Sequence, residues 1–283
     1  MQFHTLNTGY FKLDGGAMFG VVPKTIWSKK IPADDLNLCT WQMRCLLVES
    51  DNRLILVDTG MGNKQPSKWQ GYYDRSETLD LKDAIQRAGF SPNDVTDVLL
   101  SHLHFDHAGG AVLTAGPDSF PRLACPNAKH WTSRAQWEWA MQPNPREKAT
   151  FLSENLLPIQ ESGLLSFIDD TPDPLGEQVV LLAAFGHTEH MIMPVFEQKG
   201  QKIWFAADTI PSHAHIHVPF VMGYDIRPLD TMQEKNQWLE KAVQEEWIIF
   251  FDHDPFHAAG VLEKTERGFQ AKELGSLQNF LKT

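Results

Sequence analysis

The stretch Val98-Leu99-Leu100-Ser101-His102-Leu103-His104-Phe105-Asp106-His107-Ala108-Gly109-Gly110 sets three imidazoles and one carboxylate within six residues, directly after an apolar run. At the end of a strand, residues two apart project to the same side, so His102 and His104 can converge on one ion while Leu103 turns into the core. Once the chain turns, Asp106 and His107 can face a second ion. Gly109 and Gly110 permit tight backbone geometry just beyond these groups. Imidazoles and a carboxylate crowded together and buried without a cation would be poorly solvated, and a metal resolves that conflict.

The same coincidence of an apolar run and an abrupt polar ending recurs along the chain. Leu54 to Val57 runs into Asp58, Val179 to Phe185 into Gly186 and His187, Ile203 to Ala207 into Asp208, and Trp247 to Phe251 into Asp252 and His253. Strands buried on both faces read as continuous apolar stretches, and polar chemistry collects where they emerge from the sheet. Ligands far apart in sequence can thereby meet at one sheet edge.

Helices are expected between the runs. Thr78 to Ala88 carries Leu81, Ala84, Ile85 and Ala88 at helical spacing with Gly89 placed to end it, and Ser91-Pro92 reads as the cap and first turn of another. Thr231 and Glu234 have capping-box spacing ahead of Met232, Leu239, Ala242 and Val243 on one apolar face. The stretch 128–163, with Trp131, Trp137, Trp139, Met141, Phe151 and Leu152 among polar residues and three prolines, reads as a helical insertion or lid. Thr171 to Gly176 reads as a turn, and the residues after Gly260 show no single periodicity.

Composition narrows the function classes. The 283 residues are 42% apolar and 22% charged, the balance of a globular protein. Asp plus Glu outnumber Lys plus Arg by 36 to 25 without a basic run, which speaks against nucleic acid as a partner. Met1 to Gly20 is interrupted by Asp14 and other polar residues where a secretory core would be apolar, and no segment reaches the roughly 18–20 apolar residues of a membrane span. A cytoplasmic protein with a small-molecule substrate is expected. Cys39, Cys45 and Cys125, an odd number with no close pair, read as idle or buried thiols.

The His102 to His107 block resembles the HxHxDH signature of the metallo-β-lactamase superfamily, and the resemblance extends over most of the chain. In that family an Asp after an early strand supports the ligands, matched by Asp58; a later His is matched by His187, a bridging Asp by Asp208, and a final His by His253. The resemblance implies a four-layered αββα sandwich of two mixed sheets with an inserted helical lid, built as one domain over 1–283. It also implies two divalent ions, zinc foremost with iron, manganese or cobalt as alternatives. His102, His104 and His187 would hold one ion and Asp106, His107 and His253 the other, with Asp208 bridging. The chemistry implied is attack of a metal-bridging hydroxide on an ester, lactone or phosphotriester, with Asp106 or Asp208 handling the proton.

Within the superfamily the chain looks most like the N-acyl homoserine lactonases and methyl parathion hydrolase type enzymes. Pro211 stands where well-known lactonases carry a Tyr, and His215 and Tyr224 are the residues that could replace it. His190 reads as supporting or structural; His4, His130 and His257 read as ordinary histidines. Alternatives on the same fold are iron-dependent oxygen or sulfur chemistry of the persulfide dioxygenase kind, and a noncatalytic metal-binding module. An aromatic-rich insertion is compatible with a homodimer.

Overall fold

The computed structural model describes residues 1–50, 52–77, 79–114 and 120–282. The chain divides into two compact units, one of Met1–Gly9 with Met43–Glu177 and one of Tyr10–Gln42 with Gln178–Thr283.

The first unit is organised around a six-stranded sheet whose strands lie side by side in sequence order: β1 (Gln2–Asp14), β2 (Leu38–Ser50), β3 (Arg53–Val57), β4 (Asp97–Leu99), β5 (Lys129–Thr132) and β6 (Leu165–Phe167). Tyr10–Asp14 of β1 and Leu38–Gln42 of β2 belong to the second unit. A two-residue connection allows β2 and β3 to pair antiparallel, with Leu46 opposite Val57. From β3 onward the pairing is parallel, Ile55 beside Asp97 and Asp97 beside Lys129. Parallel neighbours require crossovers, and helix Leu81–Arg87 supplies one between β3 and β4, while Arg134–Met141 and Ser153–Glu161 lie between β5 and β6. Leu56, Val98, Leu103, Ile85, Leu156 and Ile159 are fully buried in this unit's core, each burial contributing about 1.5–3 kcal/mol relative to exposure.

Three expectations change here. The helix anticipated over Thr78–Ala88 begins at Leu81, because Asp80 takes the N-cap and accepts from the Lys82 amide; Thr78 lies outside the described residues. Ser91-Pro92 opens a single turn rather than a helix, closed by the Asp94 amide on the Ser91 carbonyl at 2.9 Å and by the Asp94 carboxylate on the Ser91 amide at 2.7 Å. Stretch 128–163 does contain two helices, but it also supplies β5, an interior strand, and buries Trp137, Phe151, Leu156 and Ile159. Trp131, Trp137 and Phe151 of this stretch thus belong to the sheet and core.

The second unit carries the other six-stranded sheet, in the order β12-β11-β10-β9-β8-β7, where β7 is Val179–Ala184, β8 Met191–Gln198, β9 Gln201–Phe205, β10 Ile248–Phe250, β11 Ala259–Thr265 and β12 Gly268–Gly275. Only β9 and β10 pair in parallel, Trp204 beside Ile249, and the helix Pro228–Gln244 makes their crossover. That helix starts three residues ahead of Thr231, with Pro228 in its first turn, where a missing N–H costs nothing. The anticipated capping box is thus absent: Thr231 lies inside the helix, and Glu234 instead accepts from the Phe185 and Gly186 amides at 2.6 and 3.2 Å. Leu239 and Ala242 face inward as expected, and so does Lys235. The residues after Gly260 form most of a hairpin, with a register shift between Val261 and Leu262 that explains the missing periodicity. No helix among the described residues is long and apolar enough to cross a membrane.

Candidate metal centre

In open sheets, ligands gather beyond the carboxyl ends of parallel strands, and the first unit follows this rule. β3 delivers Asp58 and β4 delivers Ser101 and His102 at neighbouring strand ends, the Asp58 amide donating to the Leu99 carbonyl at 2.9 Å. Asp58 is buried and holds a left-handed backbone, φ 59°. That conformation costs a non-glycine residue on the order of 1 kcal/mol and persists only where surrounding bonds determine it. Those bonds are present: one Asp58 oxygen accepts from the Ser101 amide at 2.7 Å, and the other accepts from the Ser101 hydroxyl at 2.7 Å and from His107 Nδ1 at 2.8 Å.

These contacts determine the tautomers. Because the Ser101 hydroxyl gives its proton to Asp58, it accepts from His102 Nδ1, 3.0 Å away. His102 and His107 therefore carry hydrogen on Nδ1 and turn a bare Nε2 lone pair the other way. The His102 ring lies 4.6 Å from that of His104 and 4.0 Å from that of His107. Three buried imidazoles this close cannot all be protonated, and their lone pairs suit a divalent ion of intermediate softness. Asp106, at the start of the turn Phe105–Ala108, lies 4.0 Å from His107 Nε2. Leu103 is buried in the core, as its alternation demands. A Cβ on Gly110 would sit 2.0 Å from the Thr59 carbonyl oxygen, so this glycine is required by close approach of two backbones.

The second unit arranges His187, Asp208 and His253 around one carboxylate. Asp208 Oδ2 is 3.0 Å from His187 Nε2 and Oδ1 is 3.3 Å from His253 Nε2. On its far side, His187 donates from Nδ1 to Asp225 at 2.8 Å, and His253 donates from Nδ1 to the Gln42 carbonyl at 2.7 Å. Each imidazole is thus anchored by one nitrogen and presents the other to a shared carboxylate with one oxygen for each. Burial opposes a charge on His187, but Asp208 and Asp225 outweigh it and push the imidazole up to about 10. Ala207, just before Asp208, is also left-handed, φ 45°. Asp252 joins the group: Asp208, Asp252 and His253 each offer a donor atom within 4.8 Å of the others.

The other singled-out residues take different places. His215, expected as a proton donor, has both ring nitrogens engaged, Nδ1 with Ser212 Oγ at 2.8 Å and Nε2 with the Met18 carbonyl at 2.9 Å. It stacks on Phe19 with centroids 4.6 Å apart, and burial pushes it down to about 3. It is a neutral packing residue, a correction that follows from its full burial. Tyr224 is 37% exposed, beside Asp225. His190 stacks on Phe185, His4 meets Phe90 edge-on, and buried His130 donates from Nδ1 to the Ala128 carbonyl. His257 lies 5.3 Å from His213, whose Nδ1 donates to Asp254 at 2.5 Å. All three cysteines are buried thiols.

Sequence reasoning missed Asp225, which anchors His187, and Glu147, whose carboxylate lies 3.5 Å from His104 Nε2, and it gave Glu234 the wrong task. Asp225 and Glu147 carried no signal at all, lying in segments without regular periodicity. It also missed an aromatic group formed by Trp69, Tyr73 and Phe105, ring centroids 4.7 to 5.0 Å apart. The Trp69 and Tyr73 spacing of four residues was the available clue. Burial, reinforced by the Asp106 charge, pushes the Tyr73 hydroxyl up to about 12.

Comparison with known proteins agrees with this architecture. The family model described as the metallo-beta-lactamase superfamily matches residues 41–253. An N-acyl homoserine lactonase of Bacillus cereus is 28% identical over 236 residues, 79% of this chain and 84% of that protein. The structure of a probable metal-dependent hydrolase from Staphylococcus aureus superposes with a TM-score of 0.87 at 28% identity, covering 97% of this chain and 96% of that one. AidC, a dizinc quorum-quenching lactonase crystallised with a product, superposes with a TM-score of 0.78 at 23% identity over 95% of this chain and 92% of its own.

Proposed function

Because the chain belongs to the metallo-beta-lactamase superfamily, we propose that it is a dinuclear metal-dependent hydrolase acting on a small, weakly charged ester, lactone or phosphotriester. The observation that carries this reading is the Asp208 carboxylate, which offers one oxygen beside His187 Nε2 and the other beside His253 Nε2. A carboxylate so placed is built to serve two cations. His102, His104 and His187 would hold one ion, Asp106, His107 and His253 the other, and Asp208 both. The donor set, imidazole and carboxylate without thiolate, suits zinc, with manganese, iron or cobalt compatible.

Two ions of this kind, when bound, would supply a water of lowered pKa and a Lewis acid for the oxygen under attack. The remaining tasks fall to the chain's own residues. Asp106 or Asp208 would accept the proton of the attacking water and pass it to the departing oxygen. Tyr224, partly exposed next to the Asp225 that anchors His187, is the proposed hydrogen-bond donor to the leaving group. Trp69, Tyr73 and Phe105 offer an apolar surface beside Asp106, suited to an acyl chain or aryl group rather than a charged one. The lactonase relative favours a lactone within this class.

The test is a panel of N-acyl homoserine lactones, aryl esters, thioesters and phosphotriesters, assayed with protein loaded separately with zinc, manganese and cobalt. Turnover of a lactone or phosphotriester, lost on Asp208→Ala, is the expected outcome. Protein carrying two ions per chain that hydrolyses no member of the panel would overturn the assignment of substrate class.

A further inference from the structure

Residues 211–227 lead from the turn that carries Asp208 to the helix Pro228–Gln244, and apart from the single turn His213–His215 they form no strand or helix. Tyr224, the proposed donor to the leaving group, lies near the end of this segment. A stretch without regular structure must find partners for its backbone one group at a time. Two places are fixed by the helix Gly15–Phe19: His215 Nε2 donates to the Met18 carbonyl at 2.9 Å, and the Gly223 amide donates to the Ala17 carbonyl at 2.7 Å. Asp225 is fixed from the far end, where the Ile226 and Arg227 amides donate to the His187 and Gly186 carbonyls at 3.3 and 2.8 Å. Between His215 and Gly223 the chain turns at 217–220, with the Phe220 amide on the His217 carbonyl at 2.9 Å.

Lys235 reaches this turn from the inner face of the helix Pro228–Gln244. It is 0% exposed, and its amine donates to the Phe220 carbonyl at 2.7 Å and to the His217 carbonyl at 3.1 Å, the two ends of the turn. Among the described residues the Phe220 carbonyl has no other donor. Burying an amine is costly, and burial does bring Lys235 down to about 7, with Asp225 opposing only in part. The helix buries Leu239 and Ala242 on the same face, and an apolar side chain would avoid that cost. What an apolar side chain lacks is hydrogens for the two carbonyls. An amine has them in either state, since the neutral form still carries two.

We infer that Lys235 is the positioning residue of Tyr224: its amine closes the turn 217–220 and so fixes the segment that delivers the tyrosine. The inference rests on the role proposed above for Tyr224. It accounts for a buried cation that the proposed chemistry does not use, and it divides the work between two residues of the same neighbourhood, with Asp225 anchoring His187 and Lys235 ordering the chain just before it.

Hydrogen exchange read by mass spectrometry compares metal-free wild type, Lys235→Met and Lys235→Gln, with circular dichroism and Tm as folding controls. Turnover is measured on whichever ester, lactone or phosphotriester the wild type hydrolyses, with Tyr224 intact and as Tyr224→Phe. Lys235→Met keeps the length of the side chain and removes its donors, so exchange in peptides covering residues 216–226 is expected to rise about 10-fold or more while the sheet strands keep their wild-type rates. The same variant is expected to lower kcat about 10-fold at unchanged KM when Tyr224 is intact, and to change kcat less than about twofold beside Tyr224→Phe, where the residue it acts through is already gone. Lys235→Gln, polar but shorter, reaches at most one of the two carbonyls; a smaller rise in the same peptides is expected, and it supplies the test should Lys235→Met fail to fold. Wild-type exchange at 216–226 in the folded variants, or a rise shared equally by the strands, would overturn the inference. Equal losses of kcat in the two Tyr224 backgrounds would do so too, since Lys235 would then act on stability alone. Wild-type protein that turns over no substrate would instead remove the role given to Tyr224, and exchange would still decide whether Lys235 fixes the segment.

Discussion

Asp58→Asn keeps the heavy-atom count and the shape of a buried side chain, yet it should disable His107 as a metal ligand by changing which ring nitrogen carries the proton. The carboxylate accepts three hydrogens, from the Ser101 amide, the Ser101 hydroxyl and His107 Nδ1. An asparagine can keep its oxygen on the Ser101 amide, which leaves its NH2 facing the Ser101 hydroxyl and His107 Nδ1. The hydroxyl can rotate to accept, but His107 can accept only by moving its proton to Nε2, the nitrogen needed for the ion. Loss of an outer carboxylate costs about 10–100-fold in metal affinity, or about 1.4–2.7 kcal/mol. In addition, a hydrogen bond to a charged acceptor is worth about 1.5–3 kcal/mol, so the metal-free Tm should fall by several degrees. Isothermal titration of the chelator-treated variant with zinc, read beside circular dichroism, measures both. Wild-type affinity for both ions in a folded Asp58→Asn protein would refute the tautomer argument.

Three further outcomes follow from the same geometry. In the metal-free protein, His187 is raised from 6.5 to about 10, so between those values it holds a proton that the unfolded chain lacks; zinc must displace it, and titration at pH 8 in buffers of different ionisation enthalpy should show proton release that diminishes in Asp225→Asn. Lys235 is brought down from 10.5 to about 7 by burial, partly opposed by Asp225, while its amine donates to the His217 and Phe220 carbonyls; between pH 7 and 10 the unfolded chain therefore binds the extra proton, the stability of metal-free protein should rise with pH, and Lys235→Met should flatten that rise. Gly186→Ala would place a Cβ 2.2–2.3 Å from the Thr231 hydroxyl and amide; overpacking of this kind costs about 1–3 kcal/mol, and calorimetry should record a Tm lower by a few degrees, with zinc affinity reduced through the adjacent His187.

What could be read from the sequence was set by periodicity and by local density of chemistry. Buried parallel strands such as Leu54–Val57 and Ile203–Phe205 announce themselves as apolar runs, and His102 to His107 is too concentrated to be accidental. The long strand Gln2–Asp14 was silent because polar residues are spread through it without steady alternation, whereas Cys39 to Cys45 alternates apolar and polar residues and held a strand signal that went unread. Thr231 and Glu234 misled because a capping box is a spacing, and the same spacing arose inside a helix whose start was fixed by Pro228; Glu234 was needed elsewhere, on the amides preceding His187. His215 misled for the opposite reason, since proximity in sequence to Asp208 says nothing of which way a ring turns. Asp225 was invisible because a carboxylate that anchors a distant imidazole is defined only by tertiary contact, and it sits in no motif.

The central claim is that His102, His104, Asp106, His107, His187, Asp208 and His253 together bind a pair of divalent ions. Anomalous diffraction from crystals of zinc-loaded protein, recorded on both sides of the zinc edge, tests it most directly. Two anomalous peaks are predicted, one against His102, His104 and His187 and one against Asp106, His107 and His253, with Asp208 touching both. A single peak at full occupancy, or peaks away from these side chains, would contradict it.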